Sequence, residues 1–377
     1  MHIQRGPAAV LMRREESVQP VCRIAMRETQ AGLDIRFGFP CSHLMSSQTE
    51  IARLAQVSQS VVSRVLNGRA KEFGIADDTV SRVRLIADAL KYRPNQAANM
   101  LLGRQTKLVG VIVRSFEDPF LTNILEELNK RALQAGYMLL VVGFEHGEFN
   151  AEEIQLLEGY RPDAFIVIGT TDFRLWDENF LNNGKLILQI GHPVADARVI
   201  SCGTDELVAA DLLIDHLVGL GHKAFGLIAD TTAAGRWRLG HLKSVLLKRG
   251  LTVSRPCVFQ AESDAAPAGF EAAAHFLDPS VRASWPTAVI VTGDLTALAF
   301  IRRLGENGIE VPTTMSVASY DDIDFAALAR PSLTTINQPV RSLAATSMEM
   351  ITGDRTRASV VLPPVLQVRE STEAPAD

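Results

Sequence analysis

At 377 residues the chain has room for two or three domains of ordinary size, and with 47% hydrophobic residues it can bury a core, which excludes disorder as its main state. No run reaches the ~18 uninterrupted apolar residues that span a bilayer, the opening run Ala8–Met12 is cut off by Arg13, Arg14, Glu15 and Glu16, and Cys22, Cys41, Cys202 and Cys257 contain no C-x-x-C pair; neither a membrane span, an export signal, a disulfide framework nor a zinc site is expected, and a reducing, cytoplasmic setting is. The net charge of −5 divides unevenly, with 15 Lys and Arg against 9 Asp and Glu in residues 1–104 and 23 against 34 beyond; unless this is chance scatter of solvated charge, a polyanionic partner meets the N-terminal part.

In chain order, residues 1–45 mix Arg, Gly and Pro with isolated apolar side chains at neither a helical nor a strand period. They are expected to form a disordered extension, with Met45 as an alternative start. From 46 to 93 the pattern becomes regular. Ser47-x-x-Glu50 is a capping box, in which the serine oxygen accepts from a backbone N–H one turn on and the glutamate reaches back to the serine N–H. Ile51, Leu54 and Ala55 give a first apolar stripe, and Gln56-Val57-Ser58 breaks it. Ser58 then caps a second helix with Val61, Val62, Val65 and Leu66 on its inner face, stopped by Asn67-Gly68. Arg69–Ala76 reads as a loop and Asp77–Leu90 as a third helix. Pro94 ends that helix, because proline disfavours helical geometry in the residue before it. Residues 94–106 form a linker.

Residues 107–373 alternate β-branched apolar runs with amphipathic stretches. Strands are predicted at Leu108–Val113, Tyr137–Val142, Ala164–Ile168, Leu186–Ile190, Ala224–Ile228, Cys257–Phe259, Ala288–Thr292 and Ser316–Ser319, with helices at Phe120–Ala135, Asp205–Leu220, Arg236–Arg249 and Leu295–Asn307. Such alternation predicts parallel sheet covered on both faces. Because ~270 residues exceed one ordinary sheet of this kind, two doubly wound sheets facing each other across a cleft are expected. Residues 374–377 are a tail.

Two helices joined by a tight turn can lay the second in the major groove of DNA. The exposed face of the second helix offers Gln59, Ser60, Ser63 and Arg64, and Gln can pair with adenine as Arg can with guanine O6 and N7. A small helical bundle with Ser and Gln on its wet face would show the same pattern. The whole constellation is more specific. It comprises Ile51-Ala52-x-x-Ala55-x-Val57-Ser58-x-x-x-Val62-Ser63-Arg64-Val65-Leu66-Asn67-Gly68 and Tyr92-Arg93-Pro94-Asn95, then Asp118-Pro119-Phe120, Gly221-His222, Val311-Pro312, Tyr320-Asp321-Asp322, Pro331-x-Leu333-Thr334-Thr335 and Arg369-Glu370-Ser371-Thr372. Over about residues 46–373 the chain resembles the lactose-repressor (LacI/GalR) family of bacterial transcription regulators.

The resemblance implies an N-terminal all-α helix-turn-helix headpiece (46–93), a hinge helix (94–106), and an α/β core of two doubly wound parallel-sheet subdomains, periplasmic-binding-protein-like, that binds an effector and dimerises (107–373). It puts Gln59, Ser60 and Arg64 at DNA bases and Ser47, Ser58, Ser63 and Asn67 at phosphates, with Leu101 as the apolar wedge entering the minor groove at the centre of a palindromic site. For the effector it implies Phe120, Asp294 and Asp321, with Arg236 or Arg238 supplying a cation; core packing for Phe120 and N-capping for the two aspartates remain open. The partners so implied are a double-stranded DNA operator, a small sugar-like effector and a second copy of the chain, with repression the commoner outcome.

Some positions depart from the family pattern. Gly293 stands where an asparagine amide is usual, Trp237 where arginine is, Gln56 where a turn glycine is common, and Asn99 where the hinge commonly has arginine; the loop after Asn67 is longer and carries Arg69 and Lys71 for extra phosphate contacts. No catalytic residue, cofactor or metal is expected. Gly219-x-Gly221 lies between helix and strand, the reverse of a phosphate cradle, and neither metal-ligand histidine spacing nor a Walker or G-x-S-x-G motif occurs. Two rival readings are a periplasmic-type solute-binding protein of the same core fold, which leaves Gln59, Arg64 and Leu101 without a role, and a doubly wound enzyme.

Overall fold

The computed structural model describes residues 47–92, 105–143, 151–169, 178–182, 184–194, 196–251, 253 and 255–375, and the backbone of 24–29 and 32–37. The chain divides into two units, 1–96 and 97–377.

In the first unit, β1 (Ile24–Thr29) and β2 (Gly32–Phe37) pair antiparallel, with Ile24 opposite Phe37 and Met26 opposite Ile35. This departs from the structureless extension expected over 1–45. Leu33, Ile35 and Phe37 alternate with Asp34 and Arg36 at the strand period of two, a run too short to stand out among the surrounding Arg, Gly and Pro. Three helices follow close to their predicted bounds: α1 (Gln48–Ala55), α2 (Gln59–Leu66) and α3 (Asp77–Ala89). Their stripes meet in one small core where Ile51, Ala55, Val62 and Val83 are fully buried, each large aliphatic side chain contributing about 1.5–3 kcal/mol. Ser47 accepts from the Glu50 N–H at 3.2 Å, while the Glu50 carboxylate turns forward to Arg53 at 2.6 Å. Gln56, in the left-handed region at φ 54°, closes α1, and Ser58 accepts from the Val61 N–H to open α2. A single 3-10 turn, Lys71–Phe73, occupies the loop before α3.

In chain order the second unit runs β3 (Leu108–Val113), α4 (Pro119–Gln134), β4 (Met138–Gly143), α5 (Ala151–Gly159), β5 (Ala164–Ile168), α6 (Glu178–Leu181), β6 (Leu186–Ile190), β7 (Val199–Thr204), α7 (Glu206–Gly219), β8 (Phe225–Ala229), α8 (Ala233–Lys248), β9 (Val258–Gln260), α9 (Ala265–Leu277), α10 (Pro279–Arg282), β10 (Ala288–Val291), α11 (Asp294–Glu306), β11 (Ser316–Asp321), α12 (Asp324–Leu328), β12 (Thr334–Asn337), α13 (Val340–Thr352), β13 (Val360–Leu362) and β14 (Val365–Gln367). Two six-stranded sheets result. The first lobe has the order β13-β7-β6-β5-β3-β4, all parallel; the second has β14-β12-β11-β10-β8-β9, parallel except for β14.

Strands such as Ala164–Ile168 are buried along their whole length because helices cover both faces of the sheet. In the first lobe α4 and α13 form one core with Val109, Val111 and Ile166, while α5 and α6 form the other with Ile112, Phe165 and Val167. The second lobe is layered likewise, with α7 and α8 on one face and α9 and α11 on the other. The chain passes between lobes after β7, after β12 and between β13 and β14. Consequently α13 follows a strand of the second lobe yet buries Leu343, Ala344 and Met348 in the first.

Candidate functional site

Two places carry the residues singled out by the sequence. On the headpiece, α2 exposes Gln59, Ser60 and Arg64, while Ser63 is half-buried on its flank; Ser47 and Ser58 are exposed at the starts of α1 and α2, and Asn67 where α2 ends. The hydroxyls of Ser58 and Ser60 lie 2.8 Å apart, and the Asn67 amide donates to the Ser63 carbonyl at 2.7 Å and to its hydroxyl at 3.2 Å. These are local bonds of the kind that short polar side chains make at helix ends. The long loop has a further role. Phe73, half in solvent, lies under the Arg64 guanidinium at 3.9 Å from the ring centroid, with Arg69 at 5.1 Å from the same ring and held by Glu72 at 2.8 Å. The loop therefore gives Arg64 an aromatic shelf. Leu101 and Asn99 lie outside the described residues.

The second place is the cleft between the lobes, at the carboxyl ends of the strands, with a cavity volume of about 90 Å³. Arg114, Asp230 and Thr292 are the first residues beyond β3, β8 and β10, and His192 follows β6 by two. Phe120 lines the cleft at the start of α4 and packs against the cores of both lobes. Asp118 caps α4 through the Phe120 N–H at 3.0 Å and pairs with Arg114 at 2.7 Å. Arg114 also reaches Asp264 of the second lobe at 2.7 Å.

Of the two arginines it is Arg238, only 5% exposed, that lines the cleft. Its guanidinium pairs with Glu206 at 3.1 Å and Asp321 at 3.0 Å, donates to the Thr292 carbonyl at 2.7 Å, and lies over the Tyr320 ring. Asp321 also accepts from Gln338 at 2.6 Å, and the Gln338 carbonyl accepts from Thr204 at 2.8 Å. A chain of hydrogen bonds thus runs from one lobe to the other past the crossovers. Burial pushes the Glu206 carboxyl up against the opposing pull of Arg238, and Asp321 and Glu206 hold the arginine charged in spite of its own burial. Burial raises Asp230 and Asp118, the latter helped by Asp321, and lowers His192, which also feels Arg238.

Of the remaining candidates, Arg236 turns away from the cleft and the Asp294 side chain is bonded within the second lobe. Arg236 is exposed and donates to the Thr231 carbonyl instead of lining the cleft, because α8 turns its neighbour two positions on toward the cleft. Asp294 does not cap α11, for which Gly293 is the N-cap, and it lies in the adjoining part of the cleft beside Asp230, Gly293 and Asp321. Its carboxylate, 1% exposed, accepts from the Ile323 N–H at 3.0 Å and the Thr335 hydroxyl at 2.7 Å, fastening the segment after β11 to β12. Burial and the charge of Asp321 push it up to about 8. Sequence reasoning also passed over Arg114, Asp118, Glu206, Asp230 and Gln338 as site residues. The position just past a parallel strand was the available signal for Arg114 and Asp230; nothing local marks Gln338.

Among the described residues no helix is long and apolar enough to cross a membrane, and no group of three metal-ligating side chains occurs. The family description "Bacterial regulatory proteins, lacI family" matches residues 49–95, and "Periplasmic binding protein-like domain" matches 214–372. The HTH-type transcriptional repressor PurR of Photobacterium profundum is 27% identical over 315 residues, 81% of this chain and 91% of PurR. The Lac repressor dimer bound to operator and the anti-inducer ONPF is similar with a TM-score of 0.73 at 26% identity, covering 88% of this chain and 100% of that one. The CelR–cellobiose complex is similar with a TM-score of 0.61 at 26% identity, covering 87% and 100%.

Proposed function

The chain belongs to the LacI/GalR family of transcription regulators, and from that premise we propose that it is a cytoplasmic homodimeric repressor that binds a palindromic operator and is switched by a small sugar-like effector. The observation that carries this reading is the exposed row Gln59, Ser60 and Arg64 on the second helix of a two-helix unit, in a chain whose other unit holds a polar cleft. Gln59, Ser60 and Arg64 read bases in the major groove, while Ser47, Ser58, Ser63 and Asn67 grip phosphate. Leu101 wedges into the minor groove at the dyad. Phe120, Arg238 and Asp321 meet the effector.

Edge strand β4, which leaves Met138 63% and Val141 40% exposed, supports pairing of two copies. The similar Lac repressor is a dimer bound to operator, and CelR a complex with cellobiose. Effector binding acts by differing in affinity between the open and closed arrangements of the lobes, a coupling of about 1–3 kcal/mol in proteins of this size. No turnover is part of the mechanism. Selection of bound sequences from a random DNA pool followed by footprinting tests the reading. A symmetric protected site, with half-sites read in adjacent major grooves, is expected; absence of any protected sequence over a range of salt would overturn it.

A further inference from the structure

Resting on the reading of the cleft as an effector site, we propose that its ligand is a polyhydroxylated small molecule bearing a protonated amine, of the amino-sugar class, with the ammonium seated beside Gly293 between the carboxylates of Asp230 and Asp321. Gly293 has φ −163°, extended backbone that any residue adopts. A Cβ there would meet Asp321 Oδ2 at 3.7 Å and Asp230 Oδ2 at 3.8 Å, ordinary contacts. Neither conformation nor crowding therefore calls for glycine. What the missing side chain does is leave a space in the cleft wall with two carboxylate oxygens within 4 Å of one point.

The charge around that space is unbalanced. Arg238 serves Glu206 and Asp321, and Arg114 serves Asp118 and Asp264, so each guanidinium is shared by two carboxylates. Among the described residues no ion pair reaches Asp230. Its Oδ1 accepts from the Thr232 N–H at 3.0 Å and hydroxyl at 2.6 Å, which leaves Oδ2 toward the space.

Two buried oxygens behind the cleft wall are also without a protein partner among the described residues; the carboxylate oxygen lacks a donor, and the hydroxyl lacks a donor or an acceptor. Glu206 Oε2 and Thr292 Oγ1 belong to cleft-lining residues 8% and 2% exposed, and neither has a hydrogen-bond partner among the described residues. Carboxylates accept and do not donate, so a ligand group with several N–H donors and a positive charge matches what the wall lacks. A phosphorylated or carboxylated ligand would add negative charge to a wall that already holds Asp230 and Asp321.

Thermal unfolding of the full-length protein tests this with glucosamine, galactosamine and mannosamine, each beside its parent hexose, its N-acetyl form and its 6-phosphate, and with adenosine. The expected result is a rise in Tm with one of the amines at concentrations about tenfold below any effect of its neutral partners, lost in Asp230→Asn. A neutral or anionic compound that acts more strongly than its matched amine would overturn the proposal. The absence of any rise in Tm with every one of the amines would overturn it as well. Footprinting of the unliganded protein is separate, so a protected operator upholds the regulator whatever the fate of the amine.

Discussion

Under the proposed function Arg64 reads a base from the exposed face of α2. Arg64→Ala should cost about 1–3 kcal/mol and relax preference at one operator position, measured by titrating a set of single-base operator variants; an equal loss on every sequence would mark a phosphate contact instead. Phe73 acts through it, because the ring fixes the guanidinium 3.9 Å above its face. Phe73→Ala should therefore weaken operator binding by about 0.5–1 kcal/mol and have no effect once Arg64 is already alanine, as a double-mutant cycle would read. Asp294 makes a prediction about pH. Its carboxyl is pushed from an ordinary 3.8 to about 8 in the folded protein, so folding favours the protonated form. Its contribution is complete below about pH 4 and is lost as the pH rises through about 8. Asp294→Asn stays neutral and can still serve Ile323 N–H with its oxygen and Thr335 with its amide. The urea midpoint of the parent should fall relative to that of the variant between pH 5 and 9, and parallel curves would mean that the aspartate is already ionised in the folded state.

The short helices were legible because caps and stripes act locally: Ser47, Ser58 and the fully buried Ile51 and Val62 did in the fold what their spacing announced. The same holds for strands such as Ala164–Ile168, whose unbroken apolar run needs cover on both sides. Strands β7, β12, β13 and β14 went unread since Val199–Thr204 and Thr334–Asn337 mix Ser, Thr and Asn with few apolar residues, and β13 and β14 are three residues each. Helices α5, α9 and α13 were missed as well; α9 is an alanine-rich stretch without a sharp stripe, and α13 is buried on most of its turns. In the cleft, Asp321 and the arginine pair were legible from motif position, whereas the choice of Arg238 over Arg236 depends on helix rotation, which spacing alone leaves open by one or two residues. The turn at Gln56 yields a prediction at this scale. A non-glycine residue in the left-handed region costs about 1–2 kcal/mol, part of which glycine returns through the freedom it loses on folding, about 0.5–1 kcal/mol. Gln56→Gly should slow hydrogen exchange of the Ile51 and Val62 amides in the full chain, and faster exchange would contradict the strain assigned to φ 54°.

At the scale of the whole effector unit, few polar links cross the cleft among the described residues, and Arg114 to Asp264 is one whose second member is 48% exposed. A pair of that exposure is worth about 0–1 kcal/mol, enough to tilt an open–closed balance without fixing it. Asp264→Asn should raise the radius of gyration of the effector-free protein in small-angle scattering, and an unchanged value would mean that the buried links through Gln338 hold the lobes alone. The late strands Val360–Leu362 and Val365–Gln367 have a different consequence. They lie on the outer edges of separate sheets, beside β7 and β12. During synthesis both sheets therefore keep raw edges, able to template foreign strands, until residues 360–367 have emerged from the ribosome. A nonsense mutation before residue 360 would strip an edge strand from both lobes at once, so truncation damages the two together instead of one alone.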